Sequence, residues 1–185
     1  MIKVDIPEMN GKEWCIERFT VDRMDWHSAL RGRKVPIGDM FTRLMRIGGG
    51  RFGDPVMSDT PAEQQDLWEP VREATGSCLI NGLGIGLLLK NILIKSDVTD
   101  VTVVEISQEL LDMVSPHYND QRVTFICCDA YEYQPPKGKR YNMVWHDIWD
   151  NICSDNLDDM DRLHKKYGRL TSWQGSWCQE QCKRV

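Results

Sequence analysis

The stretch Ser77–Lys95, SCLINGLGIGLLLKNILIK, decides how the rest of the sequence is interpreted. An apolar run ends in three glycines, Gly82, Gly84 and Gly86, and an apolar segment of helical length follows. Glycine lets the backbone turn tightly and pass close to another group because it has no Cβ atom. The pattern therefore predicts a strand, a tight turn beside a ligand, and a helix over 86–95.

The composition is that of one soluble domain. The chain has 185 residues, 41% hydrophobic and 28% charged, with a net charge of −5, which is ordinary for a globular protein. This acidic balance argues against a nucleic-acid partner. No apolar run reaches the roughly 18 residues of a membrane span and the N-terminus lacks a signal-peptide core, so we expect a cytoplasmic protein. Seven cysteines cannot all pair within one chain, and we expect reduced, mostly buried thiols.

Two regions differ in character. Residues 1–60 contain short strand-like runs with glycine and proline and predict an N-terminal β-rich extension. Residues 61–185 predict the main domain, which opens on a helix with a capping box at Thr60 and Glu63 and an end at Gly76. Apolar strands then alternate with helices, a pattern typical of a parallel sheet covered on both faces.

An acidic residue follows each of three successive predicted strands: Glu105, Asp129 and Asp147. In such sheets ligands bind at the carboxyl ends of the strands. A carboxylate after the second strand can accept both hydroxyls of a ribose, and one after the third can accept from an adenine amine. Dinucleotide-binding folds share this layout, but their G-x-G-x-x-G pattern would need glycine at Leu87. The spacing here is G-x-G-x-G.

A purely structural reading of each residue remains open. The glycines can simply form a tight turn, Glu105 and Asp129 can cap helices, and Asp147 can be a surface acid. His146 would point to the opposite side of its strand from Asp147, as a core histidine. The joint occurrence of glycines and strand-end acids favours an adenosine site.

Three segments resemble the spermidine synthase-like branch of the class I S-adenosylmethionine-dependent methyltransferases. They are VVEISQELLDMV, VTFICCDAYEY and YNMVWHDIWDN, and the similarity covers about Ser77–Asn151. The resemblance implies a Rossmann-like sheet, mostly parallel with helices on both faces. Because the chain stops soon after the expected fifth strand, we expect this sheet to be shortened at its C-terminal end.

The resemblance also implies a role for each motif residue. Around the cofactor it places Gly82, Leu83, Gly84 and Gly86 at the methionine and ribose, Glu105 at the ribose hydroxyls, Ile106 on the adenine, and Asp129 and Ala130 at the adenine edge. Asp147 would lie beside the sulfonium, where a carboxylate can orient or deprotonate an amine. Asp150 would face the acceptor, and no metal is implied.

One departure separates the possible reactions. Spermidine synthases carry an acid in the glycine loop that repels the carboxylate of the intact cofactor, and the matching residue here is Ile85. The sequence therefore favours methyl transfer from S-adenosylmethionine to an amine or other small nucleophile. Aminopropyl transfer and non-catalytic binding of the cofactor remain alternatives. The basic run between Arg31 and Arg51 leaves a phosphate-binding patch open, and an open sheet edge favours a homodimer.

Overall fold

The computed structural model describes residues 2–23, 35–48 and 54–185. Its first sheet is antiparallel, with the strands in chain order: β1 Met9–Asn10, β2 Trp14–Thr20, β3 Met40–Arg46 and β4 Asp54–Ser58. Its second sheet contains β5 Gly76–Asn81, β6 Val98–Glu105, β7 Val123–Cys127, β8 Tyr141–His146 and β9 Thr171–Ser176. The helices are α1 Pro61–Asp66, α2 Trp68–Glu73, α3 Leu87–Leu93, α4 Gln108–Val114, α5 Asn156–Tyr167 and α6 Gln179–Cys182.

The second sheet is the predicted parallel one. Its strand order is β7-β6-β5-β8-β9, and each neighbouring pair is parallel. The order reverses beside β5, so the carboxyl ends of β5, β6 and β8 surround one crevice. The predicted mixed α/β fold with a Rossmann-like sheet and a separate N-terminal β-rich extension is confirmed.

Alternate side chains of each strand supply two apolar layers. On one face Ile80 and Val103 join the buried side chains of α3 and α4, such as Leu87 and Val114. On the other face Leu79, Val104 and Val144 pack with α5. Each fully buried Leu, Ile or Val side chain contributes about 1.5–3 kcal/mol. These layers hold the strand ends, and therefore the crevice, in fixed positions.

The helix predicted from Thr60 to Gly76 is two short helices. Pro70 lacks an N–H and cannot bond to the carbonyl of Asp66, so α1 ends at that residue and α2 begins at Trp68. No side-chain hydrogen bond caps α1, because the Thr60 hydroxyl lies 3.0 Å from Ser58 Oγ. The predicted capping box is therefore wrong.

Other local predictions also need correction. Gly76 begins β5 with a φ of 54° instead of ending a helix. The predicted helix over 86–95 is Leu87–Leu93, since Gly86 itself has a φ of 70° and stands before the first helical residue. Trp173 and Trp177 are four residues apart, a spacing typical of one helix face, but Trp173 lies in β9.

The remaining whole-chain expectations have mixed outcomes. None of the seven cysteines, which all lie in the described ranges, forms a disulfide. Three of them are buried and Cys127 is exposed, so the expectation that most are buried is wrong. Within the described ranges, no helix combines the length and apolarity needed to cross a membrane.

Much of the basic run, including Arg31 and Arg51, lies outside the described residues. Arg43 instead pairs with Glu17 at 2.6 Å. The domain boundary at residue 60 stays a prediction.

Candidate functional site

A cavity of about 220 Å³ lies at the carboxyl ends of β5, β6 and β8. Most of the predicted cofactor residues line it: Gly82, Leu83, Gly84, Glu105, Ile106, Asp129, Ala130 and Asp147, together with the predicted substrate residue Asp150. Gly86 does not line it. The parallel register explains this grouping, because Asn81 pairs with both Val104 and His146, and the chain leaves all three strands at one level.

Each loop glycine passes close to another part of the protein. A Cβ atom on Gly82 would collide with the Asp147 carbonyl, one on Gly84 with the Met57 sulfur, and one on Gly86 with the Tyr118 ring. All three residues also have positive φ, between 53° and 96°. The turn therefore requires glycine for reasons internal to the fold. At Gly86 the reason is close packing against the Tyr118 ring.

Glu105 is a buried carboxylate on the cavity wall, with 7% of its surface exposed. Its Oε2 accepts the Leu83 N–H at 2.9 Å and its Oε1 accepts the Ser107 N–H at 2.9 Å. A carboxylate oxygen can accept two hydrogen bonds, so each oxygen still has a lone pair for a ligand hydroxyl. The backbone bonds fix the carboxylate in place without exhausting it.

The neighbouring wall suits a flat heterocycle. Ile106 lines the cavity with 68% of its surface exposed, which is unusual for a large apolar side chain. Across from it Asp129 accepts the Tyr131 N–H at 2.7 Å through Oδ1. Ala130 is buried, and its carbonyl accepts the Tyr167 hydroxyl. An apolar surface beside a fixed carboxylate matches the face and the amino edge of an adenine.

Asp147 stands where β8 opens into the cavity, and its backbone N–H donates to the Asn81 carbonyl at 2.8 Å. Burial raises the pKa of its carboxyl to about 7, and the nearby carboxylates of Asp66 and Glu105 add to the rise. The indole of Trp145 has the opposite effect and lowers the pKa of Asp147. A carboxyl group that titrates near neutrality can take a proton from a substrate.

The side chains next to these motifs point elsewhere. Ile85 is fully buried in the core, so its side chain presents no group to the cavity. His146 is also fully buried, with its Nδ1 2.8 Å from the Asn81 amide nitrogen. Burial lowers the pKa of His146 to about 3, and the nearby His164 adds to this shift. His146 is therefore a neutral residue of the core.

The antiparallel sheet forms a roof over the cavity, defined by its lining residues Trp14, Leu44, Arg46, Val56 and Met57. Glu109 in the first turn of α4 holds this roof. Its Oε1 accepts the N–H groups of Lys12, Glu13 and Trp14 at 2.7, 3.0 and 3.3 Å. The Trp14 indole N–H donates to Ser107 at 2.9 Å. Sequence reasoning missed these residues, because no local motif marks a contact over some 95 positions.

Arg46 joins the roof to the far wall. Its guanidinium pairs with Asp150 at 2.7 Å and lies 4.6 Å from the centre of the Trp14 ring. Among the described residues that line the cavity, Arg46 alone is basic, against four carboxyl groups. Asp150 thus lines the cavity, but its partner in this structure is Arg46 of the roof, and its role towards an acceptor stays a prediction. The cavity as a whole favours a cationic ligand with one anionic group.

The residues present fit S-adenosylmethionine. A buried carboxylate with free lone pairs, an exposed isoleucine and a second fixed carboxylate line one cavity, and these are the groups that a ribose, an adenine ring and an adenine amine can use. The excess of acids suits the sulfonium and Arg46 suits the methionine carboxylate. In the described part of the chain, no cluster of three or more metal-binding side chains occurs.

Comparison with solved structures supports the same fold. The chain superposes on the N-methyltransferase NodS of Bradyrhizobium japonicum WM9 with a TM-score of 0.50 and 12% identity, over 68% of this chain and 74% of NodS. It also matches a candidate RNA methyltransferase, PH1948, of Pyrococcus horikoshii (TM-score 0.49, 17% identity, 64% of this chain). A third match is the plantazolicin methyltransferase BpumL, solved with S-adenosylhomocysteine (TM-score 0.43, 20% identity, 57% of this chain).

The chain spans 58% of the length of the P. horikoshii protein and 38% of BpumL. No family model and no curated protein matches the sequence. The likeness to NodS shows that the parallel sheet has the fold of the class I methyltransferases.

Proposed function

We propose that this chain is an S-adenosylmethionine-dependent methyltransferase of the spermidine synthase-like type, acting on an amine or other small nucleophile. The observation that carries the proposal is the set of Glu105, Ile106, Asp129 and Asp147 around one roofed cavity. Backbone N–H groups fix the carboxylates of Glu105 and Asp129, so this part of the site is preorganised for its ligand.

The protein's share of the reaction is positioning and proton transfer. S-adenosylmethionine supplies a methyl group already activated by a sulfonium. The acceptor nitrogen forms the new N–C bond as the C–S bond breaks, the bonding pair stays on sulfur, and the ammonium proton moves to a base. Asp147 is that base in our proposal, because its pKa of about 7 leaves much of it ionised at neutral pH. The roof excludes water from the reacting groups.

The charges around the cavity favour the intact cofactor over its decarboxylated form. Arg46 offers a guanidinium to the methionine carboxylate, and Ile85 presents no acid that would repel it. Aminopropyl transfer would instead need the decarboxylated compound. The Asp147-x-x-Asp150 spacing suits that reaction too, and the ion pair between Arg46 and Asp150 engages both side chains equally, so it does not separate the two reactions.

Calorimetric titration tests the proposal. We expect S-adenosylmethionine and S-adenosylhomocysteine to bind, and Glu105→Ala to weaken both at least tenfold because the ribose hydroxyls lose their acceptor. Glu132→Ala is the matched control, since that acid lies outside the cavity. Preference for the decarboxylated compound would move the assignment to aminopropyl transfer. Binding without methyl transfer to any amine pool would leave a non-catalytic binding protein, and no binding would overturn the proposal.

A further inference from the structure

Trp145 in β8 has a buried hydrogen-bond donor that the fold leaves unused. Only 3% of its surface is exposed, and its Nε1 has no hydrogen-bond partner among the described residues. Buried indole N–H groups usually have an acceptor, because an unsatisfied donor has lost its bond to water without a replacement. The atom therefore indicates that an acceptor belongs beside it.

The strand places one carboxylate on the same side as this indole. The N–H of Asp147 donates to the Asn81 carbonyl, so the parallel pairing of β8 continues to this residue. Successive side chains of a strand point to opposite faces, so Trp145 and Asp147 share one face and His146 has the other. The packing agrees, since Trp145 belongs to the apolar layer of α3 and α4, while the His146 ring lies 5.4 Å from that of Tyr167 in α5. Asp147 is therefore placed to be the missing acceptor.

The indole ring is held in one orientation by β9. The rings of Trp145 and Trp173 are parallel within 5°, with their centroids 6.3 Å apart. Gly175 admits the pair, because a Cβ atom there would lie 2.9 Å from the Trp145 ring and 2.8 Å from the Trp173 ring. A ring that is already ordered loses little conformational entropy when its N–H forms a further bond.

The indole already acts on the ionisation of Asp147. Burial raises the pKa of this carboxyl to about 7, the Trp145 indole lowers it, and the carboxylates of Asp66 and Glu105 raise it further. The contact is not a hydrogen bond of normal geometry in this structure. An ionised acceptor makes such bonds shorter and stronger, so loss of the proton favours closer approach. Other charged side chains line the cofactor cavity at the strand ends or the space between β8, α1 and α2: Arg46, Asp129, Asp150, Glu69 and Glu180.

We propose that Trp145 is a positioning residue for Asp147, whose ionised carboxylate accepts the indole N–H. A donor to the ionised form makes that form more favourable, so Trp145 both orients the carboxylate and keeps it available as a base. The other carboxylate oxygen remains for the proton of the acceptor. The inference rests on the proposed function only for the role of Asp147 as the base, since the hydrogen bond itself requires no reaction.

The indole N–H resonances of the full chain test this bond directly. Between pH 5 and pH 9 we expect the Trp145 resonance, assigned by its loss in Trp145→Phe, to move downfield with a midpoint of about 7 as Asp147 ionises. Asp147→Asn should abolish the movement, and Asp66→Asn should keep it while lowering the midpoint. A Trp145 resonance that does not respond to pH, or that titrates equally in Asp147→Asn, would overturn the proposal.

The pH dependence of methyl transfer separates positioning from packing. Removal of the donor in Trp145→Phe should move the midpoint of the rate up by about one pH unit, so that the rate falls about fivefold at pH 7 and recovers near pH 9. Trp173→Phe is the matched control, because it keeps the Trp145 N–H and a ring beside it, and its midpoint should not change. An equal loss of rate in Trp145→Phe at every pH would show a purely structural role and contradict the proposal.

The two measurements keep the two proposals apart. If no methyl group is transferred, the resonance titration still decides whether Trp145 donates to Asp147. If the resonance titrates but the rate does not depend on Asp147, the result supports this inference and overturns the assignment of Asp147 as the base. Unchanged resonances of the other tryptophans show that the Trp145→Phe chain is folded.

Discussion

The proposed role of Asp147 and its position in the fold have opposite effects on the ionisation of its carboxyl group. A base must be ionised near neutral pH, yet Asp147 is half-buried where it enters the cavity and so has lost part of its contact with water. Burial therefore raises its pKa to about 7, above the ordinary value of 3.8. The folded chain binds the Asp147 proton more tightly than the unfolded chain, so ionising this group costs stability.

We expect Asp147→Asn to stabilise the protein at pH 8 by about 1–3 kcal/mol, because the neutral amide avoids the cost of a buried charge. The gain should shrink as pH falls from 7 towards 4, where the wild-type carboxyl is protonated in the folded state, and then also in the unfolded state. Urea unfolding at pH 4, 6 and 8 measures this. A gain that is the same at all three values would contradict the raised pKa.

The same residue sets the expected pH dependence of methyl transfer. The rate at saturating cofactor should rise through about pH 7 in the wild-type chain, as Asp147 ionises. Asp147→Asn should lower it about 10²–10⁴-fold and remove that step, with little change in S-adenosylhomocysteine affinity. Stopped assays over pH 5.5–8.5 are sufficient. An unchanged profile in the variant would assign the proton transfer elsewhere.

Gly84 links the loop to the roof. Its φ of 53° lies in the left-handed region, and the Met57 sulfur occupies the space that a Cβ atom would need. Gly84→Ala should lower the free energy of unfolding by about 1–2 kcal/mol for the backbone strain alone, and more for the collision. The double variant with Met57→Ala should recover only the part due to collision. Thermal unfolding of the three chains separates the two terms.

At the scale of elements, α4 holds the antiparallel sheet through one carboxylate. Three backbone N–H groups of Lys12, Glu13 and Trp14 converge on Glu109 and lower its pKa. Because the folded pKa is lower than the unfolded one, this attachment is present above the ordinary glutamate pKa and weakens as pH falls. The roof should therefore loosen as the pH falls through the lowered pKa of Glu109.

Glu109→Gln should loosen the roof while leaving the parallel sheet intact, since the amide oxygen is a weaker acceptor than the carboxylate. Hydrogen exchange at the amides of 12–14 should become faster, with exchange in β5 and β6 unchanged. Glu132→Gln serves as the control for lost charge. Equal acceleration in both variants would show that the three hydrogen bonds do not hold the roof.

The element pattern was largely readable from the sequence, and its failures have local causes. Continuous apolar strands and their spacing predicted the parallel sheet, because a strand that is buried on both faces consists mainly of apolar residues. Pro70 signals the break in the helix, although the spacing of Thr60 and Glu63 favours one continuous helix. Trp173 and Trp177 have a spacing that suits a helix face, and only the pairing of β9 with β8 shows that Trp173 lies in a strand.

At the scale of the molecule, the cofactor cavity belongs to both sheets. Its floor comes from the strand ends and was predicted, since each acid follows its own strand. Its roof was not, because Arg46 and Asp150 meet across a separation that no short motif records. The sequence therefore predicts the half of the site that the strand ends supply. It misses the half that is formed when the antiparallel sheet packs on the parallel one.

Ligand binding should slow hydrogen exchange in both sheets. Saturation with S-adenosylhomocysteine at about 100 times its Kd is expected to stabilise the fold by about 2.7 kcal/mol. Because the roof lines the same cavity, exchange at Trp14 and Leu44 should slow along with that at Leu83 and Glu105. Hydrogen exchange with and without the ligand measures this. Protection confined to the parallel sheet would show that the roof takes no part in binding.

The attachment of residues 12–14 to Glu109 also bears on how the protein is made. A ribosome adds about 5–20 residues per second, so some 5–20 s separate the synthesis of Trp14 from that of its partner 95 positions later. During that interval the nascent antiparallel sheet has nothing to dock on. Residues 12–14 are therefore made well before their partner and reach their final place only after it, so they need protection from aggregation during that interval.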